Sequence, residues 1–201
     1  MLMTDGIARR LVPVLFGVCL TLVQPDVCAS VRSADFEWAP LSVGSAVPSN
    51  AVIGGIISMN ETAPPLLVYV VRAKLEGRYH IGKFYNPTIV HEWKAYILGD
   101  NGSENVLANQ ALEILVMTVP DQLRWVPSSG GVIPKHAVHF SNENGLRRYL
   151  CRGIFRGRPE FAEVVIPGEA KLDQGWCLTY WYVPGVHIEY QVLVKLEDLT
   201  C

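Results

Sequence analysis

The amino-acid sequence predicts an all-β fold: two homologous antiparallel β repeats intertwined around a shared core. Three observations carry this. Short runs rich in Val, Ile, Leu and Tyr are punctuated by Gly, Pro and Asn every several residues. One run, Ile188 to Leu196, alternates strictly in polarity. The two halves of the chain are also similar to each other in an ordered series of blocks.

In the alternating run, Ile188, Tyr190, Val192, Val194 and Leu196 share one face, while Glu189, Gln191 and Lys195 share the other. That is the period of a half-buried antiparallel strand. The only stretch with helical character, Glu104 to Leu115, contains Asn105 and Asn109 and reads better as a loop running into a strand.

The self-similarity starts with Glu37-Trp38-Ala39-Pro40 against Arg124-Trp125-Val126-Pro127, then Val47 to Val52 against Ile133 to Val138. Tyr69-Val70-Val71-Arg72-Ala73 then matches Tyr149-Leu150-Cys151-Arg152-Gly153, and the same offset of 80 carries through Gly77 and Gly157 to Pro87 and Pro167. Tyr96 to Gly99 matches Tyr182 to Gly185, and Leu112 to Val116 matches Tyr190 to Val194. An extra loop, Asp100 to Asn109, belongs to the first copy alone. The repeats run over about 36–116 and 123–197. A β repeat of this size leaves open edges and one apolar face when alone, so the copies are expected to pair as one module, residues 30–201.

The N-terminus has the layout of a secretory signal peptide, residues 1–29: Arg9 and Arg10, the apolar run Leu11 to Val23, and small residues at Val27-Cys28-Ala29 before Ser30. A secreted, extracellular protein is therefore expected. Asn60-Glu61-Thr62 and Asn101-Gly102-Ser103 are glycosylation acceptor triplets, whereas Pro87 disqualifies Asn86. Removing the leader takes away two acids and two bases, so the net charge stays at −2. That balance gives no reason to expect a nucleic-acid partner or membrane insertion. Cys151, Cys177 and Cys201 remain. One bridge plus one spare thiol, or a bridge between chains, both satisfy this odd count.

The recurring order of Trp-x-Pro, Pro-x-x-Ala-Val, Tyr-x-x-Arg, Gly-Lys and Pro, Tyr-Val-Pro-Gly and a closing Glu-Tyr-x-Val-Leu resembles the DM-nine repeat family, also seen as the lectin-like part of natterin-type proteins. The resemblance spans Trp38 to Leu196. It implies a β module that in several members binds mannose-type glycans, serves pattern recognition in invertebrate immunity and dimerises. Members that bind glycan place an acidic residue after the Ala-Val-x-x-Gly block and a lysine in a Pro-Gly-Lys turn. Here the first copy keeps Lys83 but has Ile56 and Ile57 where the acid would be. In the second copy Glu143 sits near the acidic position, and Ala162-Glu163 aligns with Gly-Lys. A composite site of Lys83, Glu143 and the nearby Tyr79 is the ligand-binding expectation, with a protein-interaction or structural module that has lost the sugar site as its rival.

Sugar recognition needs donors and acceptors beside an apolar surface, which Lys83, Glu143 and Tyr79 can supply. Arg72 and Arg152 each follow a Tyr by three positions in an apolar strand, so each is expected to be a half-buried structural guanidinium held by a carboxylate or carbonyls. Trp38 and Trp125 recur by position and are expected to pack structurally; Trp93, Trp176 and Trp181 do not recur cleanly and are candidates for an exposed platform. His136 and His139 would face opposite sides of a strand, which argues against a metal. No catalytic constellation or cofactor motif is recognisable, so neither an enzyme nor a cofactor is expected.

Overall fold

In the computed structural model, the described residues are 35–42, 44–59, 62–85, 94–99, 104–107, 111–155, 161–181 and 183–196, with the side chains of 104–107 and 183 excepted. They form an all-β antiparallel structure. The first half supplies β1 (Phe36–Leu41), β2 (Ile53–Ser58), β3 (Leu66–Leu75), β4 (Arg78–Tyr85), β5 (Lys94–Leu98), β6 (Glu104–Leu107) and β7 (Leu112–Met117). The second supplies β8 (Leu123–Ser129), β9 (His139–Glu143), β10 (Leu146–Phe155), β11 (Glu163–Lys171), β12 (Trp176–Trp181), β13 (Val183–His187) and β14 (Glu189–Lys195).

The halves have the same wiring. Neighbouring strands run β1-β7-β3-β4-β5-β6 in one and β8-β14-β10-β11-β12-β13 in the other, with β2 on β3 and β9 on β10. Register repeats too: Trp38 faces Leu115 and Trp125 faces Leu193, while Arg72 faces Glu113 and Arg152 faces Gln191. Even the links outside the ladders recur. Val52 N–H donates to Leu115 O and Val138 N–H to Leu193 O, both at 2.8 Å.

The halves are joined through both the sheet and the core. β2 pairs with β11, so the ladder crosses from one repeat to the other. Val52, Val70, Ile81, Leu98 and Leu115 of the first half also share a buried cluster with Val138, Phe140, Leu150 and Leu193 of the second. β3 is covered on both faces along its middle, which is why Val68 to Val71 read as an apolar run instead of alternating; β10 is covered likewise only around Leu150 and Cys151. The hairpins close at Glu76-Gly77 and Asn144-Gly145, where φ is positive at both residues of each pair, as a two-residue turn matching strand twist requires.

Register also corrects parts of the sequence alignment. Val71 faces Gly82 whereas Cys151 faces Gly168, so beyond the hairpin the offset is 86 instead of 80. The first hairpin turns in two residues; β10 and β11 are separated by 156–162, and an insertion there is invisible without the pairing. The counterpart of Gly82-Lys83 is therefore Gly168-Glu169, not Ala162-Glu163. Close approach supports this equivalence: a Cβ on Gly82 would meet Tyr96 O at 2.3 Å, and one on Gly168 would meet Leu178 O at 2.0 Å. Tyr96 accordingly matches Leu178, not Tyr182. The expected loop after Asp100 contains β6, and Ile188 lies just outside β14, 70% exposed, so it does not share the buried face of that strand.

One disulfide, Cys151–Cys177, links β10 to β12 across β11. Its cysteines stand where the first repeat has Val71 and Ala95, and Ala170 stands where it has Phe84. The first repeat thus fills this region with a large ring, and the second with the disulfide and a small residue. Cys201, Asn60, Asn101, Trp93 and the leader lie outside the described residues.

Candidate functional site

Glu143 closes β9 just before the Asn144-Gly145 turn and lines a cleft of about 880 Å³. Its Oε1 accepts the Tyr79 N–H at 2.8 Å, in place of a full β4–β9 ladder. The equivalent position in the first repeat, Ile57, lies in the β2–β11 ladder instead. The Tyr79 amide holds the Glu143 carboxyl below the ordinary carboxylate range against a smaller opposing effect of burial, with Arg148 and Arg78 helping.

Behind it lies an ion pair on the cleft wall. Arg148 donates from Nε to Glu169 Oε1 at 2.9 Å and from Nη2 to Oε2 at 2.6 Å, the bidentate geometry of a guanidinium on a carboxylate. Its Nη1 donates to Tyr79 O at 2.9 Å, so Tyr79 is held by Glu143 at its nitrogen and by Arg148 at its oxygen. Lys171 Nζ is 3.1 Å from Glu169 Oε1. Arg78, Arg147 and Asp173 complete the charged lining, and Trp176, Leu178 and Pro184 provide apolar wall. With four cationic and three acidic side chains, two of them locked in a fork, the cleft presents hydrogen-bonding groups with little net charge.

The pseudo-equivalent place in the first repeat is closed. Lys83 is only 3% exposed; its Nζ donates to Tyr180 O at 2.5 Å and lies 5.1 Å from the ring centres of Tyr96 and of Trp181. Ile57, Val68, Tyr85, Val164, Ile166 and Trp181 cluster where the second repeat has polar and charged groups. Val68 corresponds to Arg148, and Ile57 to Glu143. Lys83 and Glu143 therefore belong to opposite members of a pseudo-symmetric pair of positions, and the composite Lys83–Glu143 site is not formed. Of the three expected ligand-binding residues, Glu143 and the Tyr79 backbone come together. Lys83 stands four residues along β4, roughly 13 Å away at strand rise.

Arg72 and Arg152 sit as expected of framework residues. Arg72 Nε donates to Glu113 Oε2 at 2.6 Å and Nη1 to Phe140 O at 2.6 Å, with its guanidinium between the rings of Trp38 and Tyr79. Arg152 lies over Trp125 at 4.7 Å, but its partner is the neutral amide Gln191, reached from Nε at 2.6 Å. Trp125 also donates to Ile53 O of the other repeat at 3.1 Å.

Trp181, expected to be exposed, is 3% exposed and packs tilted against Tyr85 and edge-on to Phe161; Trp176 is half-buried and lines the cleft. His136 occupies a turn at φ 61°, and His139 packs edge-on to Tyr149. Arg148, Glu169 and Lys171 were missed in the sequence. Pro167-Gly168-Glu169, set against the Pro-Gly-Lys pattern, is the signal that points to Glu169.

The DM9 repeat family model matches residues 65–181. Among solved structures, the crystal structure of the nematode sperm cell motility protein MFP2B superposes with a TM-score of 0.59 at 16% identity, covering 90% of this chain and 53% of that one. At that identity the likeness is one of fold, and the chain spans about half the length of the protein it matches. No curated protein matches.

Proposed function

The chain belongs to the DM9 repeat family, and on that premise we propose that it is a secreted, non-catalytic lectin-like module whose sugar-binding face is the cleft at Glu143. The observation that carries this is the joint arrangement of Glu143, the Arg148–Glu169 fork and Trp176 in one open cleft. A neutral polyhydroxyl ligand suits it: Glu143 accepts from vicinal hydroxyls, Arg78 and Arg147 donate, and Trp176 offers an apolar surface to the C–H face of a ring. Mannose-type glycans are the proposed class, with dimerisation raising avidity for repeated termini and recognition of microbial surfaces as the biological use.

A glycan array with the full-length secreted product tests this. Binding to mannose-terminated glycans is expected, weakened roughly 10- to 100-fold in Glu143→Gln, the range for losing a hydrogen bond to a charged group. Equal binding by the variant would remove the site assignment.

One observation favours a second reading, a protein-interaction module. Neither repeat holds both the acid and the lysine at the two equivalent positions: Ile57 accompanies the buried Lys83, and Glu143 accompanies Glu169. A blank array together with saturable capture of a defined protein from body fluid would establish that alternative.

A further inference from the structure

The two framework arginines differ in one respect that the fold itself makes visible. Arg72 is neutralised by Glu113 and capped by Phe140 O and two aromatic rings. Its counterpart Arg152 keeps the aromatic partner and the strand register, but an amide replaces the carboxylate. Among the described residues, no acceptor bonds its Nη1 or Nη2.

This guanidinium lines a second cleft of about 550 Å³, which shares Val186 with the one at Glu143, together with Ile154, His187, Ile188, Glu189, Tyr190 and Gln191. The cleft exists because β10 and β14 pair only at Cys151 and Arg152, whereas the equivalent β3–β7 ladder continues through Ala73. His187 wedges the strands apart over Gly153, where a Cβ would lie 2.1 Å from the imidazole. That ring is fixed by Thr179 Oγ1 at 2.8 Å and by Phe155 edge-on, and burial pushes its pKa down, so it stays neutral at pH 7.

Apolar surface surrounds the guanidinium. Ile154, Val186 and Ile188 are 41%, 52% and 70% exposed, and all three line this cleft. A half-buried cation whose donor fork is open among the described residues, ringed by exposed aliphatic side chains, is complementary to an anion carried on an apolar body. Two acids limit how much negative charge it accepts: Glu189 on the cleft wall, and Glu163, whose field acts on Arg152. They disfavour a dianion such as a phosphate monoester and leave a single carboxylate as the matching head group.

We propose that this cleft is a second binding site, for amphiphilic monocarboxylates, in which the Arg152 fork takes the carboxylate and Ile154, Val186 and Ile188 take the aliphatic chain. Calorimetric titration of the full-length protein with sodium octanoate tests it, with octanol, acetate and octyl phosphate as comparison ligands. One-to-one octanoate binding is expected, at least about tenfold tighter than any of the three. Gln191→Glu rebuilds the Arg72–Glu113 pair in the second repeat and is expected to abolish binding while leaving the melting temperature unchanged or higher. Ile188→Asp, at an exposed position, is expected to weaken binding without unfolding, and Glu189→Gln to tighten it. Equal affinity for octanol, tighter binding of octyl phosphate, or undiminished octanoate binding in a folded Gln191→Glu protein would each overturn the proposal.

Discussion

Lys83 and Glu169 occupy the same position in the two repeats: each follows a glycine pressed against the neighbouring strand, and each faces the strand residue, Tyr96 or Leu178, that supplies the crowding carbonyl. The side chains have opposite charge and opposite settings. Lys83 is sealed among aromatic rings, and Glu169 is forked by Arg148 on the wall of a cleft. One duplicated backbone thus yields one closed and one open site.

Amine labelling distinguishes the two environments. Lys83 is expected to react with acetic anhydride at least roughly tenfold more slowly than the exposed Lys135, since a buried amine reacts only on local opening. Mass spectrometry of early time points reads this directly, and equal rates would mean that the first-repeat site is open.

The Arg148–Glu169 pair has side chains only 11% and 10% exposed. Arg148→Met leaves the Glu169 carboxylate largely desolvated with Lys171 as its remaining partner, and is expected to cost about 3 kcal/mol. Removing both charges in Arg148→Met/Glu169→Met is expected to cost clearly less than the single change. Urea denaturation of the three proteins checks the ordering.

The disulfide offers an internal template. Replacing Cys151 and Cys177 by Ser is expected to destabilise by about 3 kcal/mol, from the freed chain entropy and two buried hydroxyls. Cys151→Val with Cys177→Ala, the residues of the first repeat, is expected to recover part of that loss. Thermal melting of both double variants decides whether the repeats are interchangeable here.

For Glu143 the folded pKa lies below the unfolded one, because the Tyr79 amide favours the charged carboxylate. Its contribution to stability is therefore fully present above the ordinary glutamate range and is lost as the pH falls through the lower, folded value. The stability difference between the wild type and Glu143→Gln is expected to favour the wild type at pH 7 and to be smaller at about pH 3, below the ordinary glutamate range. Denaturation at both pH values measures it, and a difference that is independent of pH would show that the charge is irrelevant.

Much of the fold was legible in the sequence because duplication leaves paired blocks wherever strands bury the same positions. Trp38 and Trp125, Tyr69 and Tyr149, and Glu113 and Gln191 were aligned correctly since the strands holding them vary little in length. The alignment failed beyond the β3–β4 hairpin, where the two copies are linked differently and a chance match of glycines and prolines kept a false offset of 80 alive.

By itself the sequence determined the β class, the duplication and the half-buried arginines, all of which follow from periodicity and from residues repeated along the chain. Tertiary structure alone decided which residues meet. Glu143 joins Tyr79, Arg148 and Glu169 while Lys83 turns away, and Arg152 is left with an amide beside an apolar cleft. The reason is physical: such encounters depend on strand register and on pairing between the repeats, and a shift of a few residues in one connecting loop changes them without altering the local pattern that builds each strand.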